Sequence, residues 1–199
     1  MATRGRLIAV EGIDGAGKTT LAEGIAAALP EVTVLREPGG AVLSERVREL
    51  VKDPALEVDP RAEALLYAAA RAQLVSEKLV PLLTAGRDVV LDRFVDSSLA
   101  YQGAGRGLGV AEIAELNRFA TGGLVADLTL YLRVDPALGA ARRGGEDRLE
   151  QAGEAFFATV VAAYDALARE HADRYVVLDG AEGPDEVLAA ALRVMKRLQ

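Results

Sequence analysis

Short apolar runs alternate with segments of helical periodicity along this chain. Leu7–Val10 is an apolar run that ends in a polar loop. Similar runs occupy Val32–Leu35, Asp88–Asp92, Asp127–Val134 and Tyr175–Leu178. Each run is short and almost continuously apolar, which is typical of a strand buried on both faces. The pattern therefore predicts five strands of a parallel sheet.

Between these runs, apolar residues recur at intervals of three and four, the spacing of an amphipathic helix. Pro30 should stop the first of these helices, because proline cannot donate the next helical hydrogen bond. Predicted helices occupy 17–29, 41–53, 61–83, 152–171 and 184–199, with shorter helical starts after Asp92 and at Pro136. Strands that alternate with helices favour a three-layer, doubly wound α/β fold: a five-stranded parallel sheet with helices on both faces.

Length and composition favour one domain. The chain has 199 residues, of which 51% are apolar, enough to bury a sizeable core. We find no internal repeat, low-complexity tract or long linker, so residues 1–199 are expected to form a single domain. No apolar run reaches the roughly 18 residues that a membrane span needs, and no signal-peptide pattern is visible. A cytoplasmic protein without membrane contacts is expected.

Charge and missing residue types exclude several functions. The net charge of −7 argues against a general nucleic-acid binder, whose affinity would come from neutralising phosphates. The chain has no cysteine, which excludes disulfides and thiolate nucleophiles, and its only histidine is His171. Catalysis by histidine triads and metal sites rich in histidine or cysteine are therefore excluded.

The segment Gly12–Thr19 matches the phosphate-binding motif G-x-x-x-x-G-K-[ST], known as the P-loop. It lies between a predicted strand and a predicted helix. Glycines let the backbone N–H groups turn towards phosphate oxygens, and the helix N-terminus adds partial positive charge. Lys18 should bridge the β- and γ-phosphates of a nucleoside triphosphate, and the Thr19 hydroxyl should hold Mg²⁺. The predicted nucleotide-binding residues here are Gly12, Ile13, Asp14, Gly15, Ala16, Gly17, Lys18, Thr19 and Thr20.

The remaining motifs favour a kinase over a GTPase. A GTPase would need N-K-x-D to recognise its base, but the single asparagine, Asn117, precedes Arg118. Instead, several arginines follow predicted strands or lie close to them: Arg36, Arg71, Arg93, Arg142, Arg143 and Arg148. Arginines gathered around a phosphate-binding loop suit a second phosphate-bearing substrate and a transition state with spreading charge.

The sequence closely resembles the bacterial thymidylate kinases over nearly its whole length. The resemblance is carried by Glu11–Thr20, Arg36–Gly40, Tyr67–Gln73, Leu91–Phe94, Ala100–Gly103 with Gly105–Gly107, Asp127–Leu132 and Asp147–Gln151. It implies a P-loop kinase fold with a short mobile lid at about residues 142–151. It also implies transfer of the γ-phosphoryl group of ATP to dTMP in dTTP biosynthesis, with Mg²⁺ as cofactor.

The resemblance assigns several cations to the phosphate groups of the two substrates. Arg93 would grip the phosphate of the acceptor, and lid arginines Arg143 and Arg148 would join Lys18 and Arg93 as catalytic residues. Arg142 is placed with ATP alongside Arg143, although it matches the lid spacing less closely. Asp92 ends a buried strand beside the P-loop, where it either orients Mg²⁺, directly or through water, or caps the strand.

On the acceptor side, the resemblance implies a thymine pocket. Tyr67 and Arg71 lie four residues apart on one helical face, where they would stack on the ring and donate to a ring carbonyl. Asp14 would lie near the 3′-hydroxyl or, equally, cap its loop, and Ser98 would reach the base directly or through water. The full predicted set for dTMP is Asp14, Arg36, Glu37, Pro38, Tyr67, Arg71, Arg93, Ser98, Tyr101 and Gln102.

Two other functions remain as alternatives to thymidylate kinase. One is a different small P-loop nucleotide or nucleoside kinase, and the other is a switch that hydrolyses a nucleotide slowly. The family is typically homodimeric, and the alanine-rich helix at 61–83 either supplies such an interface or packs internally. The expected partners are the small-molecule substrates dTMP and ATP. No nucleic-acid or membrane partner is expected.

Overall fold

A computed structural model describes residues 4–142 and 153–197. Its centre is a sheet of five parallel strands: β1 (Leu7–Glu11), β2 (Thr33–Arg36), β3 (Val89–Asp92), β4 (Leu128–Arg133) and β5 (Tyr175–Asp179). Their order across the sheet is β2-β3-β1-β4-β5. In register, Val10 lies beside Asp92 on one side and beside Leu130 on the other. The five-stranded parallel sheet predicted from the apolar runs is confirmed.

The central strands β1, β3 and β4 are mostly apolar up to their C-terminal residues because both faces of the sheet are covered. Leu7 and Ala9 of β1 pack in one core cluster with Leu74 and Leu79, whereas Ile8 and Val10 belong to a second cluster. Successive strand residues point to opposite faces. The alternation therefore shows that helices cover both faces of β1, as the three-layer prediction required.

The helices lie close to their predicted positions. They are α1 (Lys18–Ala28), α2 (Val42–Lys52), α3 (Pro60–Leu74), α4 (Val80–Thr84), α5 (Val95–Ser98), α6 (Val110–Thr121), α7 (Pro136–Arg142), α8 (Glu154–Glu170) and α9 (Pro184–Arg197). The predicted helix 61–83 is thus divided into α3 and α4, which a π-helical turn, Val75–Leu79, connects.

Two helical features differ from the sequence-based prediction. α6 was not predicted, because its buried positions include the polar residues Asn117 and Thr121 beside Ile113, which weakens the apolar periodicity. α5 continues into a π-helical segment, Leu99–Gly105, where the sequence indicated a helical start followed by a glycine-rich loop. π-Helical segments often occur at functional sites, where they re-aim side chains.

Candidate active site

A cavity of about 350 Å³ opens at the carboxyl ends of β1 and β3. Ligands of open parallel sheets bind at this edge. Most of the predicted site residues line the cavity: Asp14, Gly15, Gly17, Lys18, Thr19, Thr20, Arg36, Glu37, Pro38, Tyr67, Arg71, Asp92, Arg93, Ser98, Tyr101, Gln102 and Arg142. One cavity therefore brings together residues from widely separated segments.

The loop after β1 folds tightly around its glycines. Gly15 has a φ of +81°, and a Cβ atom there would lie 2.3 Å from the carbonyl oxygen of Gly139 in α7. Because α1 begins at Lys18, its free N–H groups and the positive end of its dipole lie beside this loop. The loop therefore has the shape and polarity that bind polyphosphate.

Three residues of the predicted ATP site contribute through backbone or packing and do not line this cavity. Ile13 and Ala16 are buried in the core. The carbonyl oxygen of Ile13 accepts a 2.8 Å hydrogen bond from Nζ of Lys18, and that of Gly12 accepts a 3.2 Å bond from Nη1 of Arg93. The loop backbone thus orients both cations.

Charge is concentrated at the floor of the cavity. Burial and the neighbouring Arg93 lower the pKa of Lys18 to about 8, against the opposing effects of Asp14 and Asp92. Burial raises the pKa of Asp14, but the charges of Arg93 and Lys18 outweigh it and hold that pKa well below its usual range. The carboxylate of Asp14 therefore partly balances two cations that face one cavity.

The Thr19 hydroxyl and the Asp92 carboxylate lie together at the end of β3. Oγ1 of Thr19 donates a 2.8 Å hydrogen bond to Oδ2 of Asp92. Both groups offer hard oxygen atoms beside the phosphate-binding loop. Among the described residues, no cluster of three or more histidine, cysteine, aspartate or glutamate side chains has metal-binding geometry.

Arg93 is held in a strained conformation at the centre of the site. Its φ is 70°, and no other non-glycine residue in the described ranges has a positive φ. The turn is fixed by Glu11, whose Oε1 accepts hydrogen bonds from the backbone N–H groups of Phe94 at 2.8 Å and Ser97 at 3.2 Å. Strain of this kind persists where surrounding contacts over-determine the backbone.

The Arg93 guanidinium reaches across the cavity floor. Nη2 donates to Oδ1 of Asp14 at 2.5 Å and Nη1 donates to Oγ of Ser97 at 3.1 Å. The guanidinium also lies 5.0 Å from the centroid of the Tyr101 ring, whose hydroxyl donates to Asp14 at 2.8 Å. Arg93 is thus fixed between the P-loop and the segment that follows α5.

The loop after β2 forms one wall of the cavity. Glu37 and Pro38 are buried, whereas Arg36 is exposed and donates from Nη2 to both carboxylate oxygens of Glu45 at 3.1 Å. Arg48, which the sequence analysis did not select, donates to the carbonyl oxygen of Pro38 at 3.0 Å and also lines the cavity. The wall therefore presents Arg48 as a cation in addition to the predicted Arg36.

Arg71 is fully buried, and each nitrogen of its guanidinium donates to a protein acceptor. Nε donates to Glu37 at 2.7 Å, Nη1 to Ser98 at 2.9 Å and to Asn117, and Nη2 to the carbonyl oxygen of Phe94 at 2.9 Å. Nη2 also lies 2.6 Å from Oε2 of Glu37 in an ion pair. A ring carbonyl in this cavity would compete with these acceptors. The half-buried Tyr67 lies one helical turn earlier, also at the cavity.

A second cavity, of about 260 Å³, lies on the other side of the phosphate-binding loop. Arg142 lines both cavities and donates a 2.7 Å hydrogen bond from Nη1 to the carbonyl oxygen of Gly180. Leu21, Leu132 and Val187 add apolar surface. A flat apolar ring with polar edges would fit there. The predicted residues Arg143 and Arg148, and nearly all of the predicted lid, lie outside the described residues.

Several buried residues that position the site were not predicted from the sequence. Glu11, Asn117 and Tyr164 are buried, and each bonds to the segment 93–98 or to Arg71. They lie far apart in the sequence and carry no motif of their own. The clearest available signal was Glu11, a charged residue at the end of a buried apolar strand.

Comparisons with known proteins agree with this geometry. The family model described as thymidylate kinase matches residues 10–191. A thymidylate kinase of Lactobacillus delbrueckii subsp. bulgaricus is 47% identical over 204 residues, covering 97% of this chain and 96% of that protein. One from Deinococcus radiodurans is 50% identical over 194 residues, covering 94% of each.

A solved structure has the same fold. The crystal structure of thymidylate kinase from Ehrlichia chaffeensis superposes with a TM-score of 0.80 at 29% identity. The match covers 97% of this chain and 99% of that one. Similarity in sequence and in fold therefore extends over almost the whole length of the chain.

Proposed function

The chain belongs to the thymidylate kinase family, and from this premise we propose that it transfers the γ-phosphoryl group of ATP to the phosphate of dTMP, giving ADP and dTDP. The proposal treats residues 1–199 as one kinase domain. A cytoplasmic location, expected from the sequence, is part of it. Among the described residues, no helix has both the length and the apolar character to cross a membrane.

One observation supports this reaction most directly: a single cavity contains both a phosphate-binding loop and a separate polar pocket. Lys18 and the start of α1 line this cavity, and so do Tyr67, Arg71 and Gln102. Arg93 bonds to the loop through Gly12 and to Ser97 next to Ser98, which itself bonds to Arg71. Two phosphate-bearing substrates placed in this way would meet at Arg93.

The chemistry needs positioning and charge neutralisation more than proton transfer. The phosphate of a nucleoside monophosphate is already anionic at neutral pH, so it can attack without a strong general base. Lys18 and Arg93 would stabilise the charge that spreads over the transferred group, and their protein partners hold them in place beforehand. We assign the same role to Arg143 and Arg148 of the predicted lid, whose closure would exclude water.

Thr19 and Asp92 fit a Mg²⁺ site. Mg²⁺ prefers oxygen ligands and is commonly bound by one or two protein oxygens together with substrate phosphates and water. The hydroxyl and carboxylate oxygens, 2.8 Å apart, provide such a pair at the P-loop. When bound, Mg²⁺ would neutralise phosphate charge as the nucleotide is held.

We further propose that the protein is a homodimer that pairs through α2, α3 and α6. These helices pack beside one another. Each presents large apolar side chains to solvent, including Leu50, Leu65 and Phe119, which are 47%, 58% and 84% exposed. Exposed apolar residues on adjacent elements favour a protein interface.

The first test is an assay of ADP release with Mg-ATP and each of dTMP, dUMP, UMP, CMP, AMP and GMP. We expect strong preference for dTMP. Preference for another monophosphate would indicate a different small P-loop kinase. ADP release that is indifferent to every acceptor would indicate a nucleotide-hydrolysing switch.

Variants test the assigned cations. Lys18→Ala and Arg93→Ala should each lower kcat by about 100-fold or more, because each removes a charge that faces the transferred phosphoryl group. Arg169→Ala is the matched control, since this side chain is exposed on α8, lines neither cavity and lies outside the helices of the proposed dimer surface. Near-normal turnover in both site variants would contradict the proposal.

A further inference from the structure

Glu63 is a fully buried carboxylate beside the cavity, and the reaction proposed above gives it no role. It lies in the first turn of α3. Its Oε1 accepts a 2.8 Å hydrogen bond from Nε2 of Gln102, which lines the cavity. Burying a carboxylate costs free energy unless the group is paired. Its position against a cavity-lining amide therefore calls for an explanation.

Arg106 provides the compensating charge. Its Nη2 donates to Oε2 of Glu63 at 3.2 Å and its Nε donates to Oε1 at 3.3 Å. The Arg106 guanidinium also lies 4.9 Å from the centroid of the Phe156 ring in α8. Residues from three elements thus keep the carboxylate against Gln102.

The carboxylate determines which way the Gln102 amide points. Carboxylate oxygens accept hydrogen bonds, so the amide atom that faces Glu63 is the NH₂ donor, and a carbonyl oxygen placed there would be repelled. The oxygen and nitrogen of an amide have nearly the same shape, so the shape alone does not define how Gln102 is oriented. The Glu63 carboxylate defines it. The carbonyl oxygen, Oε1 of Gln102, is the amide atom left to meet a ligand, and no hydrogen bond within the described ranges engages it.

We propose that Glu63 is a positioning residue that sets base specificity, because it makes Gln102 present a hydrogen-bond acceptor to the ring of the bound nucleotide. The inference rests on the proposed function and narrows its substrate class. Thymine and uracil carry an N–H donor at ring position N3, whereas N3 of cytosine is itself an acceptor. The amide oxygen matches the first two rings and faces a lone pair in the third.

Arg71 favours the same choice. A guanidinium offers only donors, and it lies in the same cavity as Gln102. In thymine the carbonyl oxygen at ring position 4 is next to N3–H, whereas cytosine has an amino group at position 4. The Arg71 donor and the Gln102 acceptor therefore match the position 4 oxygen and the N3–H group of thymine. In cytosine, the amino group at position 4 and the lone pair at N3 oppose them. Sites built to hydrogen-bond a substrate discriminate strongly, because a mismatch leaves buried polar groups unpaired.

The test is the variant Glu63→Gln, which keeps the shape of the side chain but turns one accepting oxygen into a donor. The Gln102 amide can then turn over. We expect the ratio of kcat/KM for dTMP to that for dCMP to fall by about tenfold or more, mainly through faster turnover of dCMP. The ratio of dTMP to dUMP should stay unchanged, because both rings carry N3–H and differ only by a methyl group. General damage to the pocket would change both ratios.

Arg106→Lys is the matched control. It keeps a positive charge beside the buried Glu63, so that side chain stays an ionised carboxylate that accepts from Gln102, but it loses the two-point geometry of the guanidinium. It should therefore lower the thermal midpoint and retain the ratio of dTMP to dCMP. If Glu63→Gln does not fold, Gln102→Leu provides the second test, since loss of the acceptor should lower the same ratio through slower turnover of dTMP. An unchanged ratio in the folded variant overturns this inference alone. A parent enzyme that does not phosphorylate dTMP overturns the proposed function and the inference with it.

Discussion

Single side chains at this site depend on one another for their positions. Arg93 occupies a backbone conformation that costs roughly 1–2 kcal/mol for a residue with a side chain. Glu11 compensates by accepting the N–H groups that follow, together with the hydroxyls of Ser97 and Tyr164 at 2.6 and 2.8 Å. The position of the central cation is therefore determined by a buried carboxylate that has no contact with the cavity.

Glu11 gives a prediction on pH. Burial, and then the negative charge of Asp96, raise its pKa from 4.5 to about 7, against the hydrogen bonds from Ser97 and Tyr164. A carboxyl whose pKa is higher in the folded protein contributes stability below pH 4.5 that is lost as the pH rises through 7. The variant Glu11→Gln cannot lose this contribution. We therefore expect its free energy of unfolding, relative to the parent, to increase between pH 4.5 and 7 and then to level off.

Urea unfolding of parent and variant at half-unit steps from pH 4.5 to 8 measures this difference. A difference that does not change with pH would contradict the assignment. The ADP-release assay at pH 7.5 adds a second readout, in which Glu11→Gln should lower kcat because the turn that carries Arg93 is less firmly held.

Among the elements, close backbone packing gives the phosphate-binding loop its shape. Gly15 approaches the carbonyl oxygen of Gly139, and a Cβ atom on Gly139 would lie 2.7 Å from Cδ1 of Ile13. α7 therefore packs directly on the loop, and it ends at Arg142, where the predicted lid begins. This packing connects the predicted lid segment to the loop that binds phosphate.

Gly15→Ala tests this packing. The variant combines a φ of +81° with a Cβ atom 2.3 Å from a carbonyl oxygen, so the loop must move. We expect at least about a tenfold weaker affinity for ATP and a loss of stability of about 1–3 kcal/mol. Calorimetric titration with ATP and thermal unfolding measure the two effects.

Gly107→Ala is the control, because Gly107 has a similar φ of +69° and nothing within 4 Å of the added atom. It should share the backbone strain and keep its affinity for ATP. Equal ATP affinity in the two variants would show that contact with α7 does not shape the loop.

Across the whole molecule, strand order decides which loops share the site. β1 lies between β3 and β4, so the loops that follow β1 and β3 meet at one edge although 80 residues separate Gly12 from Asp92. The same arrangement leaves α2, α3 and α6 packed side by side, with exposed apolar residues on their outer surfaces.

The proposed dimer can be tested with Phe119→Asp. A charge on a residue that is 84% exposed should leave the fold intact but oppose burial in an interface. We expect the mass measured by light scattering to fall from twice the chain mass to the chain mass at micromolar concentration. Val177→Asp, at a 50% exposed residue of β5, should keep the dimer. A parent protein that is already monomeric would contradict the proposal.

The sheet, most of the helices and the P-loop could be predicted from the chain alone, because they depend on local periodicity and on residues close together in the sequence. Lys18 and Thr19 follow directly from the spacing of one motif, and the five apolar runs indicate five strands without further information. The resemblance then placed Arg93, Arg71 and Gln102 in one pocket, where the structure brings them together.

The orientation of those side chains could not be predicted, because it depends on contacts between elements that are distant in the sequence. α6 escaped prediction because its buried residues are partly polar, and the π-helical segment Leu99–Gly105 has no pattern that distinguishes it from a helix followed by a loop. The partners Glu11, Glu63 and Asn117 lie far from Phe94, Gln102 and Arg71 in the sequence. A buried charge has to find its partner in space, and that pairing depends on how elements pack, which local sequence does not encode.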